Sequence, residues 1–176
     1  MTIDFVLTVV ARDKPGLVGL LADVVAEHGG NWIDSAMARL GGEFAGIVRV
    51  SVPDESATAL EVALALLAER NIAVVVHRGK PAVELTGRRV RIEVTGQDRT
   101  GIVREVAGAL AAQGVSVEEL RTRVFAGSMS GESLFSALAD VIVPADVSLE
   151  TVRHALETIA HDIMVDIELS EVDDTA

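Results

Sequence analysis

The groups in this chain that could do chemistry are few. Four histidines are present, His28, His77, His154 and His161, and none forms the close pair that a metal site requires. His154 and His161 are seven residues apart and would share a helix face, but the helix carrying them is expected to end near Ala160. No cysteine is present, which removes disulfides, thiolate ligands and cysteine nucleophiles. "GSMSG" at 127–131 has a methionine where a nucleophile-elbow serine would stand, and it falls in a hairpin loop. No phosphate-binding loop or dinucleotide fingerprint occurs, and no carboxylate pair has spacing that singles it out for acid–base work. Catalysis, a metal and a cofactor are therefore not expected. What remains is a short motif written twice: Asp13, Pro15, Gly16 and Leu17, then Asp98, Thr100, Gly101 and Ile102.

This motif has a chemistry of its own. A glycine just before a helix lets a ligand or another backbone approach closely. The first-turn amides that follow have no intrahelical acceptor, and they suit a carboxylate. Asp13 can accept from an ammonium, and Asn31, after the helix, offers both a donor and an acceptor. Together they would recognise both ends of an α-amino acid. The same residues have plainer uses. Asp13 and Asp98 can cap a helix or fix a turn, Gly16 and Gly101 can serve turn geometry alone, and Asn31 can bond its own backbone. In the second copy Thr100 replaces Pro15 and Ser116 replaces Asn31. That copy is expected to bind weakly, differently or not at all.

The elements that position the motif are themselves repeated. At the offset from Asp13 to Asp98, Leu21 falls on Val106, Val25 on Leu110 and Gly29 on Gly114. Further on, Phe44 matches Phe135 and Pro53 matches Pro144, so the second copy carries extra residues around 126–132. Ile3, Phe5, Leu7 and Val9 alternate as a strand does, as do Val90, Ile92 and Val94. Leu17, Leu20, Leu21, Val24, Val25 and His28 share one helix face, and Ile102, Val106, Ala109 and Leu110 share another. Gly29 and Gly114 should close these helices. Strands follow over 31–40 with 44–52, and over 115–125 with 134–143, the first pair turning at 41–43. Ser56 and Ser148 are expected to cap the next helices, and closing strands are expected over 72–77 and 163–169.

The order is βαββαβ twice, an α+β arrangement of two ferredoxin-like units in tandem, each an antiparallel sheet with helices on one face. The boundaries read as 1–78, a linker at 79–87, 88–170, and an acidic tail at 171–176. Val6, Val10 and Ile47 fall on the sheet face away from the helices, so a cover is expected. A pseudo-dimer within the chain and a homo-oligomer of chains, such as a homodimer, would each supply one.

Composition narrows the partners. Hydrophobic residues make up 49% of the 176, enough for aliphatic cores, while the net charge of −12 opposes direct binding to nucleic acid. No uncharged run reaches the length of a membrane span, and the first residues do not read as a signal peptide, so a cytoplasmic protein is expected.

Through Asp13, Pro15, Gly16, Leu17 and Val18, then Gly30 and Asn31, the segment "ARDKPGLVGLLADVVAEHGGNW" resembles the ACT domain, and the whole chain resembles the glycine cleavage system repressor family. That resemblance implies regulation: an amino-acid ligand bound beside the first strand-to-helix loop where two units meet, and a protein partner such as a transcription factor. The expected function is amino-acid sensing, with glycine as one candidate, that modulates transcription of amino-acid metabolism. The alternatives are an assembly module without a ligand and a regulatory subunit of a biosynthetic enzyme.

Overall fold

The computed structural model describes residues 1–79, 86–127 and 131–172. The chain divides into two units, Met1–Val83 and Glu84–Ala176. The first contains β1 (Thr2–Arg12), α1 (Leu17–Glu27), β2 (Asn31–Leu40), β3 (Glu43–Pro53), α2 (Asp54–Leu66) with a 3₁₀ turn (Leu67–Arg70), and β4 (Ile72–Arg78). The second contains β5 (Gly87–Gln97), α3 (Ile102–Ala112), β6 (Ser116–Ala126), β7 (Ser133–Pro144), α4 (Leu149–Ile163) and β8 (Val165–Glu171). Each unit has one four-stranded sheet, ordered β2-β3-β1-β4 and β6-β7-β5-β8, with every neighbouring pair antiparallel. Most of the joint (80–85), the centre of the 126–132 loop (128–130) and most of the acidic tail (173–176) lie outside the described residues.

The period-two pattern of β1 sends Phe5, Leu7 and Val9 into the core, where Leu17, Leu21 and Val25 of α1 meet them. Leu60 and Leu64 of α2 complete that core. In the second unit Val90, Ile92 and Val94 play the strand role against Ile102, Leu110, Val152 and Leu156. Both helices of each unit thus lie on one sheet face, and that burial drives folding. The hairpin after β2 turns on Gly41 and Gly42, both at positive φ, as a two-residue turn demands.

Two local expectations need correction. Ser56 does not cap α2: the helix already begins at Asp54, behind Pro53, with no side-chain cap. Pro53 ends the strand and its fixed φ hands the chain straight to the helix. Ser148 does cap α4, its Oγ accepting from the Thr151 amide at 3.1 Å. Ile163 belongs to α4 and not to the closing strand, so His154 and His161 lie within one helix. The turn residue is Met164, at φ 49°. It stands just before the last strand, as Asn71 (φ 59°) does in the first unit. A long apolar side chain gave no sign of a left-handed position there.

Replacing Ser148 by alanine is expected to cost about 1 kcal/mol of stability, and Ser56→Ala close to nothing; paired denaturant titrations measure the difference. On the second sheet, Arg91 donates twice to Asp140, at 2.8 and 2.9 Å. These hydrogen bonds hold the Asp140 carboxyl below its ordinary pKa. A depressed carboxylate stabilises the fold at neutral pH and loses that contribution as pH falls through its folded-state pKa. Asp140→Asn should therefore be less stable than the parent near neutrality, and the gap should close in acid.

Candidate functional site

The two motif loops are built alike. The Asp13 amide donates to the Gly42 carbonyl at 3.0 Å, and the Asp98 amide donates to Ser133 at 2.8 Å. Gly42 and Ser133 are the matching residues of the two hairpins, so each strand-to-helix loop is pinned to its own hairpin. Pro15 and Thr100 occupy the turn, exposed. Gly16 (φ 88°) and Gly101 (φ 103°) then take the left-handed conformation as the N-caps of α1 and α3. A Cβ on either glycine would meet nothing within 4 Å, so φ is what requires glycine, and the space beside it is open.

The first intrahelical bonds run from Leu20 to Gly16 and from Glu105 to Gly101. The amides of Leu17, Val18 and Gly19, and of Ile102, Val103 and Arg104, therefore have no acceptor within the helix. Neither helix has a side-chain cap, so Asp13 and Asp98 do not serve as caps. Leu17 and Ile102 are 4% and 3% exposed, their side chains committed to the two cores.

Asp13 is engaged elsewhere. Arg39 Nη1 donates to its Oδ2 at 2.9 Å, tying the loop a second time to the hairpin. Sequence reading missed Arg39, because only the strand register places it near the loop. Val124 occupies the matching position in the second unit. That ion pair therefore has no counterpart there, and the two loops differ in charge environment.

Asn31 and Ser116 are not beside these loops. Asn31 opens β2 opposite Ser51, and Ser51 pairs with Asp4. Asp13 follows Arg12 at the other end of β1, roughly 30 Å away at about 3.4 Å per residue. Ser116 likewise pairs with Ile142, which pairs with Arg89, far along β5 from Asp98. A helix intervenes between motif and asparagine and carries the chain the length of the sheet. Within one unit, Asp13 and Asn31 therefore cannot hold the two ends of one amino acid.

Two hollows lie near the candidate residues. At the Asp13 end of the first unit an open groove of about 300 Å³ is lined by Arg12, Glu43, Asn71 and Ile72, among others. In the second unit a cavity of about 40 Å³ lies between α3 and the sheet, reached by Val103, Val117 and Leu120. It arises from smaller side chains. Val117 stands where Trp32 packs on the first core, and Val106 where Leu21 does. Among the described residues no cluster of three or more metal-ligating side chains occurs, and no helix is long and apolar enough to cross a membrane.

Comparison with known proteins agrees with this architecture. The family model "ACT domain" matches residues 4–77 and again 88–170. A crystal structure of an "unknown protein" from Galdieria sulphuraria superposes with a TM-score of 0.83 at 31% identity, covering 98% of this chain and 100% of that one. A crystal structure of a "putative glycine cleavage system transcriptional repressor" superposes with a TM-score of 0.75 at 22% identity, covering 99% of each chain. No curated protein matches the chain in sequence. Two antiparallel βαββαβ units, each with its motif loop at the head of the first helix, make this chain a tandem member of the ACT domain family.

Proposed function

We propose that this protein is an amino-acid sensor that regulates amino-acid metabolism through a protein partner. The observation that carries the reading is the pair of uncapped helix ends behind Gly16 and Gly101. Each leaves three amides without an intrahelical acceptor, behind a turn that only glycine adopts cheaply. A carboxylate is the natural complement of such an end. The ammonium needs an acceptor from elsewhere, because Asn31 lies at the far end of its own unit. Two copies of the first unit, from two chains side by side and antiparallel, would bring the loop of one to the Asn31 of the other. The ligand would then sit where two chains meet and would respond to how they meet.

A transcriptional route fits the net charge of −12, which favours a protein over DNA as the direct partner. The fold shared with the structure described as a glycine cleavage repressor makes glycine the first ligand to try. The Asp13–Arg39 pair favours the second reading, a ligand-free assembly module, because it commits the carboxylate to the fold. A regulatory subunit of a biosynthetic enzyme has the same ligand chemistry and differs in the partner captured.

Titration calorimetry against the common amino acids tests the reading. Saturating ligand should raise the melting temperature, since it binds only the folded state. Asn31→Ala should weaken binding by about tenfold, the worth of one lost hydrogen bond to a charged group, with little change in unliganded stability. If no amino acid binds or stabilises the chain, the assembly reading replaces this one.

A further inference from the structure

The two units differ most on the sheet face turned away from their helices. In the first unit the strand register builds this face in rows. One row is Ala36, Ile47, Thr8 and Val75, and the next is Ala38, Ala45, Val10 and Ala73. All eight are uncharged. Val10, Ile47 and Val75 are 44%, 55% and 54% exposed. Charged rows border the band: Asp34 and Arg49 on one side, Glu43 and Arg12 on the other. In the second unit the matching rows read Arg121, Leu138, Glu93, Glu168 and Arg123, Ser136, Thr95, Asp166. One copy of the repeat thus has a face fit for water, and the other has not.

We propose that the apolar face of the first unit docks on the same face of a second copy of this chain. The two-fold axis would lie between the sheets and run across the strands, passing over Gly46. The register itself argues for this occupant. Such an axis lays each apolar row on the other row of the second copy. Ile47 then meets Ala45 and Val75 meets Ala73, large on small, so the sheets interdigitate as sandwich faces do. The same axis sets Arg49 over Glu43 at each border, opposite charges meeting. Arg49 is already held by Asp4 at 2.9 and 3.1 Å, so it is ordered for that contact.

The charged face of a second unit is a poor alternative. It would bury Arg121, Arg123, Glu93 and Glu168 against valine and alanine, and unpaired buried charges are costly. Four strands about 4.8 Å apart and four rows about 7 Å apart give a face of roughly 500 Å² per copy. That is near the lower limit of specific interfaces, so a dimer that dissociates on dilution is expected. This proposal does not rest on the ligand reading.

Sedimentation velocity on the full chain over a wide dilution series tests it. The parent should show a reversible monomer–dimer equilibrium. Ile47→Glu, with its circular dichroism unchanged, should weaken association at least about tenfold, as expected for a central apolar contact. Leu138→Glu, at the matching position of the second unit, should leave association as it was. The chain has no cysteine, so Ala45→Cys supplies a single thiol, and a short bismaleimide should link two copies through it. A parent that stays monomeric at every concentration overturns the proposal. So does a dimer indifferent to Ile47→Glu, one disrupted by Leu138→Glu, or one that the Ala45→Cys thiols never link.

Discussion

An antiparallel sheet with helices on one side has a second face that must be reconciled with water or covered. Both halves of this protein face that constraint, because both place all their helices on one side of four strands. Their cores solve the common half of the problem in the same way: alternating strand residues meet an aliphatic helix stripe. The remaining faces have gone separate ways. Arginine, glutamate, aspartate and serine occupy the second sheet at positions where alanine, valine and threonine occupy the first. The duplicated fold is therefore one scaffold with two surface chemistries.

The same division runs through the motif loops. Each is anchored by one amide-to-carbonyl bond to its hairpin, and each presents a helix end opened by a left-handed glycine. Only the first adds an ion pair, Asp13 with Arg39. The second has a small gap under its helix, where valines replace Trp32 and Leu21. The backbone device is thus common to both, while the side chains that would tune it are not. A ligand recognised mainly through backbone amides would find both loops, and one recognised through side chains would tell them apart.

Most of the fold was legible in the sequence because its signals are local. Period-two alternation in β1 and β5, the helix stripes, the glycines after α1 and α3, and the prolines ending β3 and β7 each act within a few residues. The repeat reinforced them, since an ambiguous segment in one copy could be read from the other. Errors arose where two local signals competed. Ser56 has the chemistry of a cap, but Pro53 had already started the helix two residues earlier. Met164 bends the chain with a residue type that does not advertise a turn. The candidate site was less legible, because proximity there depends on strand direction over long distances. Arg39 reaches Asp13 through the hairpin, and Asn31, close to the motif in sequence, is carried by α1 to the opposite end of the sheet.

Trp32 is the sole tryptophan, half-buried on the first core with its indole N–H donating to Ser35 Oγ at 3.2 Å. Intrinsic emission excited in the indole band therefore observes one half of the molecule and is blind to the other. Calorimetry and circular dichroism register both halves. Melting curves that coincide across the three probes would mean the halves lose structure as one cooperative body; curves that separate would rank the halves by stability without cutting the chain.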